Sequence, residues 1–445
     1  MSDARLPARP DAADGGFATL QVQAGYTPGI AQNTAIPPIY QSNAYEFPSL
    51  AHARDVFALR TVGNVYSRNA NPTQLVLEER VARLEGGTAA VAVGSGQAAS
   101  AGAILALASQ GHHIVAARQL YGGTIDLLAD SLADLGIEVT FVDQDDVEGW
   151  RAAARPETRA FFAETITNPL ATVLDVRAIA DAAHEAGVPL IVDNTVATPY
   201  LLRPGDHGAD IVVHSATKYL GGHGAALGGV IVDIGRFDFA ADPDRWPQFT
   251  RPYPRFRDLV LWERFGAAGQ ALTVYIKTKF VHDFGPTLAA TSSSQLLQGI
   301  ETLDLRMRRH SDNALEVARV LDAHPSVSRV HHPGLSHNPW HGAAARYLPR
   351  GTSGVFAFDL AGSGDATRDQ QLVERVVDAL RVIRLVANIG DARSMVSHPA
   401  SMTHSHMTPD QLAAAGISPT TIRLSIGLED PADLTADLAQ ALSRA

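Results

Sequence analysis

The 445-residue chain contains no cysteine. That absence removes disulfides, thiolate metal sites and a cysteine nucleophile together. Positive charge is also scarce: 36 Lys and Arg stand against 47 Asp and Glu, a formal net charge of −11, and no basic run interrupts the sequence. The balance argues against a nucleic-acid partner and leaves room for a local cationic pocket that takes one phosphate. Long apolar runs are missing as well. The longest weakly polar stretch, residues 98–108, is broken by Ser100 and Gly102 and is too short to span a bilayer. Residues 1–16 are acidic, lack a signal peptide's apolar core and read as a frayed terminus. The expectation is a cytoplasmic protein whose partners are small molecules.

What is present is ample apolar content and a regular alternation. The length exceeds a single core, so two substantial domains are expected. Residues 17–60 carry Pro28, Pro37, Pro38 and Pro48 among scattered aromatics, the composition of an extended arm lying on another surface, such as a neighbouring subunit. Asn71-Pro72 then starts a helix with Leu77, Val81 and Leu84 on one face, and Gly86-Gly87 ends it. From residue 89 short apolar runs alternate with helical stretches such as 176–186. Strands are predicted at 89–93, 113–116, 138–142, 159–163, 188–192, 211–213 and 230–232, which gives a mainly parallel sheet covered on both faces. Beyond a boundary near 265–285, helices at 299–321, 371–380 and 433–442 and strands at 355–360 and 421–426 predict a smaller α/β domain. The expected division is a tail and arm over 1–64, a large domain over 65–275 and a C-terminal domain over 276–445.

The chemistry is concentrated where strands end. Gly94-Ser95-Gly96-Gln97, Tyr121-Gly122-Gly123-Thr124, Asn168-Pro169, Asp193-Asn194-Thr195 and Ser215-Ala216-Thr217-Lys218 each follow a predicted strand. In open α/β sheets ligands sit at the carboxyl ends of strands, so one ligand could touch all five. A lysine held beside apolar strands is desolvated, which disfavours its ammonium form and leaves an amine able to form a Schiff base with an aldehyde. Lys218 is that candidate, and Ser215 and Thr217 are short donors suited to a phosphate. Asp193, 25 residues earlier, needs a cation to offset burial, and a protonated pyridine nitrogen would supply one. Tyr121 is placed to stack on an aromatic cofactor, though a packed core or surface tyrosine is the commoner use of the residue. The turn Gly94–Ala99 also fits G-x-G-x-x-A, so a nicotinamide oxidoreductase is the alternative class. His398, His404 and His406 come without a carboxylate pattern and read as loop histidines rather than metal ligands.

Tyr66-Ser67-Arg68, Ser95-Gly96-Gln97-Ala98, Leu120-Tyr121-Gly122-Gly123-Thr124, Asp193-Asn194-Thr195 and Ser215-Ala216-Thr217-Lys218-Tyr219 together resemble the cystathionine/methionine-metabolism family of pyridoxal-phosphate enzymes. The resemblance runs from about Thr19 to the C-terminus and includes His398–His404 and Ile422–Gly427. Asn388-Ile389-Gly390-Asp391 looks most like the O-acetylhomoserine sulfhydrylase branch. It implies an aspartate-aminotransferase-like, fold type I enzyme with pyridoxal 5′-phosphate as cofactor. Lys218 would be the Schiff-base lysine, Asp193 the partner of the pyridine nitrogen, and Tyr121 a catalytic residue stacked on the ring. Gly96, Gln97, Ser215 and Thr217 would hold the phosphate with Tyr66 and Arg68 of an adjacent subunit, and Asn168 would join the cofactor contacts. Arg423, Asn388 and Ser394 would hold the amino-acid carboxylate. The implied reaction is γ-replacement, O-acetylhomoserine plus sulfide or a thiol giving homocysteine and acetate, in a homo-oligomer, a tetramer with shared sites. Cystathionine γ-synthase and methionine γ-lyase chemistry are the alternatives within the family. The chain departs from the sulfhydrylase pattern at Arg255-Phe256-Arg257-Asp258 and at the serine-rich 290–294, and has Gly123 where methionine γ-lyases often have cysteine.

Overall fold

Helix α3 (Pro72–Glu85) begins where the Asn71 side chain accepts from Thr73 N–H and ends where Gly86 turns left-handed at φ 73°. Leu77, Val81 and Leu84 are buried, as the spacing predicts. The computed structural model describes residues 15–28, 33–405 and 407–445. Most of the segment read as a frayed terminus, and His406, lie outside the described residues.

Seven strands follow: β1 (Ala89–Val93), β2 (His113–Ala117), β3 (Glu138–Val142), β4 (Thr158–Glu164), β5 (Leu190–Asp193), β6 (Ile211–Ser215) and β7 (Gly229–Asp233). They form one sheet in the order β1-β7-β6-β5-β4-β2-β3. β7 runs antiparallel to both neighbours and the other pairs are parallel. β2 is buried at all five positions, as expected of a strand covered by helices on both faces. Between β1 and β2 runs α4 (Gly96–Leu107), capped by Ser95. The alternation read from the sequence is therefore the observed one, with the ends of β2, β4, β5, β6 and β7 moved by one or two residues, β4 now closing at Glu164.

The stretch 17–60 is not wholly extended. It contains α1 (Phe17–Gln23) and α2 (Leu50–Phe57). Gln21 donates to Asp304 at 2.6 Å, and Phe17 meets Tyr200 edge-on at 5.3 Å, so the start of the stretch is docked on its own chain.

The later part also differs in detail. One helix was expected over 299–321; the chain forms α5 (Ala290–Ile300) and α6 (Leu303–Asp322). The serine-rich start of α5 carries little apolar periodicity, which hides it. A second sheet has the order β10-β11-β12-β9-β8, with β8 (Val327–His331), β9 (Val355–Leu360), β10 (Arg384–Leu385), β11 (Met395–Ser397) and β12 (Thr421–Ser425). The sequence predicts only β9 and β12. β10 and β11 have two and three residues, too few for a pattern. The Arg306 guanidinium of α6 is buried and donates to the carbonyls of Tyr219 at 2.7 Å and Gly299 at 2.6 Å, tying this half to the segment after β6. Among the described residues no helix is long and apolar enough to cross a membrane.

Candidate active site

β6 ends at Ser215, and three residues on the Lys218 Nζ donates to Asn388 Oδ1 at 2.5 Å. Burial, helped by the positive charge of Arg423, lowers the Lys218 amine to about 8. Asn388 reaches it because the following turn presses onto the lysine's backbone. Gly390 has φ 73°, and a Cβ there would lie 2.7 Å from Tyr219 N, so only glycine permits this approach.

Arg423, on β12, is 2% exposed. It donates to the Asn388 carbonyl at 2.9 Å and to Asn168 Oδ1 at 3.3 Å, while its Nε has no hydrogen-bond partner. Burial lowers it to about 10, and among the described residues no carboxylate pairs with it. A cation this deep without a counter-ion calls for an anion from outside the chain.

Glu164 and Asp193 are register partners at the ends of β4 and β5. Glu164 accepts from Tyr121 N–H at 2.6 Å, and Asp193 accepts from Thr195 N–H at 2.8 Å. Desolvation raises both carboxyls, and the charge of Asp193 raises Glu164 further. Among the described residues Asp193 has no ion pair, so a cation would relieve it.

The third side of the site is the start of α4. The Ser95 hydroxyl takes the Ala98 N–H, and the first N–H groups of a helix are suited to an anion. Gly96 lies against the end of β6: a Cβ there would be 2.5 Å from Ser215 Cβ. Gln97 Nε2 donates to the Gly123 carbonyl at 2.7 Å, joining this turn to Tyr121, whose side chain is 44% exposed. Thr217 Oγ1 exchanges hydrogen bonds with Gly228.

The fold therefore brings Gly96, Gln97, Tyr121, Asn168, Asp193, Ser215, Thr217, Lys218, Asn388 and Arg423 to the ends of the two sheets. Four of the expected residues, Ser394, Tyr66, Arg68 and Asn168, have partners within the chain. The Ser394 hydroxyl is fully buried, donating to Glu429 at 2.8 Å and accepting from Gly427 N–H at 2.8 Å, so it braces the loop ends rather than offering a group to a substrate. Tyr66 and Arg68 pack on each other, the guanidinium 5.6 Å from the ring centroid, with Thr287 donating to the Arg68 carbonyl. Asn168, expected on the cofactor, faces Arg423. His398 has its ring nitrogens beside Ser401 Oγ and the Pro419 carbonyl.

Glu164 was missed by sequence reasoning. A carboxylate closing the apolar run Phe161-Phe162-Ala163 is the same signal as Asp193 closing its own strand, and aligning the two strand ends would have found it.

A family profile described as Cys/Met metabolism PLP-dependent enzyme matches residues 18–443. The chain belongs to that family. It is 43% identical over 431 residues to an O-acetyl-L-homoserine sulfhydrylase of Leptospira meyeri, covering 95% of this chain and 96% of that protein. It is 44% identical to an O-acetyl-L-homoserine sulfhydrylase of Corynebacterium glutamicum, with the same coverage. Its fold is similar to the crystal structure of a protein assigned as an O-acetylhomoserine (thiol)-lyase from Campylobacter jejuni, with a TM-score of 0.91, 37% identity and coverage of 96% of this chain and 100% of that one. That protein carries N′-pyridoxyl-lysine-5′-monophosphate. The nicotinamide alternative is thereby set aside. The residues here fit the pyridoxal phosphate of the family: a desolvated lysine, a carboxylate lacking a cation and a helix start beside two hydroxyls lie together.

Proposed function

We propose that this enzyme makes homocysteine by γ-replacement, taking O-acetylhomoserine and sulfide and releasing acetate. The observation that carries the reading is Arg423, a buried guanidinium without a carboxylate partner among the described residues, whose neighbour Asn388 also holds the Lys218 amine. An α-amino acid seated by its carboxylate on Arg423 brings its α-carbon to Lys218. Similarity to the O-acetyl-L-homoserine sulfhydrylases of Leptospira meyeri and Corynebacterium glutamicum supports the choice of ester and nucleophile.

When bound, pyridoxal phosphate supplies an electron sink for charge developing at the substrate's α-carbon. The protein does the rest. The start of α4 with Ser215 and Thr217 would anchor the phosphate, Tyr121 would cover the ring, and Asp193 would keep the pyridine nitrogen protonated. Lys218, its amine lowered to about 8, takes the α-proton and returns one later, which suits a base working near neutral pH. Asn388 orients Nζ and, through its carbonyl, the guanidinium that grips the carboxylate.

The leaving group is read as acetate from the relatives' substrate and because two of the three arginines that could meet a larger ester, Arg255 and Arg393, are already ion-paired, while Arg257 is exposed. Arg255 is held by both oxygens of Asp283 at 2.7 and 2.8 Å, and Arg393 by Asp391 at 2.9 Å. A succinyl ester brings a second carboxylate, and freeing either arginine to meet it costs an existing ion pair. We also read the enzyme as a homo-oligomer, a tetramer in which Tyr66 and Arg68 complete a neighbour's phosphate site. The 43% exposed Tyr66, with the Arg68 side chain beside it, supports that reading.

The Arg423 claim is tested with Arg423→Met. Losing a buried charge partner costs about 2–5 kcal/mol, so kcat/KM for O-acetylhomoserine falls roughly 30- to 5,000-fold while cofactor still binds. A variant with wild-type kcat/KM overturns the seating of the substrate on Arg423.

A further inference from the structure

Behind the strand ends that carry Glu164, Asp193 and Ser215 lies a second polar cluster that the reaction as read does not use. Glu85, the last residue of α3, has a side chain with 0% exposure, as has its partner His214. Its Oε1 accepts from His214 Nε2 at 2.7 Å and from Asn194 Nδ2 at 2.8 Å. Asn194 Nδ2 also donates to the Leu202 carbonyl at 2.9 Å, and its Oδ1 accepts from Thr165 Oγ1 at 2.9 Å. Each partner is a chain neighbour of a site residue. Thr165 follows Glu164, Asn194 follows Asp193, and His214 precedes Ser215. Successive residues of an extended chain point to opposite faces, so the cluster occupies the back of the strand ends while the site occupies the front.

A carboxylate buried this completely is retained only where its partners offset its desolvation, and Glu85 gathers both of its donors on one oxygen. The outcome is geometric: one side chain at the end of α3 joins the ends of β5 and β6, and through Asn194 the end of β4. The cluster also has an electrostatic link to the site, because His214 is among the groups that favour the ionised form of Asp193.

We propose that Glu85, His214 and Asn194 form a positioning clamp that sets the Asp193 carboxylate in place relative to Ser215 and Lys218, and so holds both ends of the bound cofactor in register. None of the three touches the cofactor or the substrate. The proposal rests on the reading of Asp193 as the partner of the pyridine nitrogen, and the test separates the two.

The test compares wild type, Asp193→Asn, Glu85→Gln, His214→Gln and the double variant Glu85→Gln with His214→Gln. His214→Gln retains an amide donor toward Glu85 and removes the imidazole. The readouts are the dissociation constant for pyridoxal phosphate, the position of the visible absorption band of the loaded protein, and the unfolding midpoint of the cofactor-free protein. Residues that support a cofactor's direct contacts typically account for 10- to 100-fold in affinity, as measured for metal sites, so Glu85→Gln and His214→Gln are expected to weaken cofactor binding about tenfold or more. Their bands should move in the same direction as that of Asp193→Asn, and the double variant should be little worse than the weaker single one, since both act through one contact. A shifted Asp193→Asn band beside wild-type bands and affinities in both clamp variants would overturn the clamp alone, however far their unfolding midpoints fall. A wild-type band in Asp193→Asn would overturn the reading of Asp193 and the clamp with it. Where Glu85→Gln does not fold, His214→Gln decides by the same two readouts.

Discussion

Lys218 joins two requirements that oppose each other: it must be buried enough to lose its proton near neutral pH, and reachable enough to exchange with a substrate amine. Burial and the Arg423 charge bring it to about 8. The neutral amine is the reactive form and lies above that value, so the rate at which cofactor-free protein combines with pyridoxal phosphate should rise as pH passes about 8 and level off beyond it. Stopped-flow absorbance across pH 6 to 10 checks this. Arg423→Met removes a positive neighbour, so its profile should move to higher pH. Asp193 and Lys218 were legible in the sequence because each closes a β-branched run with a group that such a run has no structural use for. Ser394, which the family resemblance places at the substrate's carboxylate, has its hydroxyl engaged by Glu429 and Gly427. Ser394→Ala should therefore destabilise the protein by about 1–3 kcal/mol in denaturant unfolding, the cost of leaving buried partners unmatched, and leave KM for the amino acid unchanged. A raised KM with unaltered stability would restore the substrate contact.

At the scale of elements, the site exists because four strand ends, one helix start and one turn from the second sheet converge. The parallel strands announced themselves through apolar runs buried on both faces, and α3 through its asparagine, proline and glycine. β10, β11 and the division between α5 and α6 did not, because two- and three-residue strands carry no period and Ser292–Ser294 dilutes the helical one. Nor did the clamp behind the strands: Glu85 lies 109 residues from Asn194 and 129 from His214, and only the fold brings them together. The turn at Gly390 is the most exposed to test. Gly390→Ala would place a methyl 2.7 Å from Tyr219 N at a left-handed φ, so it should cost about 1–3 kcal/mol of stability and displace Asn388 from Lys218. Kinetics and calorimetry on that one variant should show kcat falling together with the unfolding midpoint.

At the scale of the whole molecule, the arm and the catalytic end belong to one design only if the active unit is an oligomer. Arg68 should then act across an interface. Mixing inactive Lys218→Ala subunits with Arg68→Ala subunits should restore activity well above that of either alone, and an active monomer in sedimentation would contradict the shared site. The central claim concerns the reaction. The measurement that tests it most directly is kcat/KM for homocysteine formation from sulfide with O-acetylhomoserine and, separately, with O-succinylhomoserine, alongside methionine incubated without a nucleophile. With Arg255 and Arg393 engaged by Asp283 and Asp391, the acetyl ester should be favoured by about tenfold or more, the equivalent of roughly 1.4 kcal/mol, and methionine should yield little ketoacid. Preference for the succinyl ester, or efficient methionine cleavage, would contradict the account.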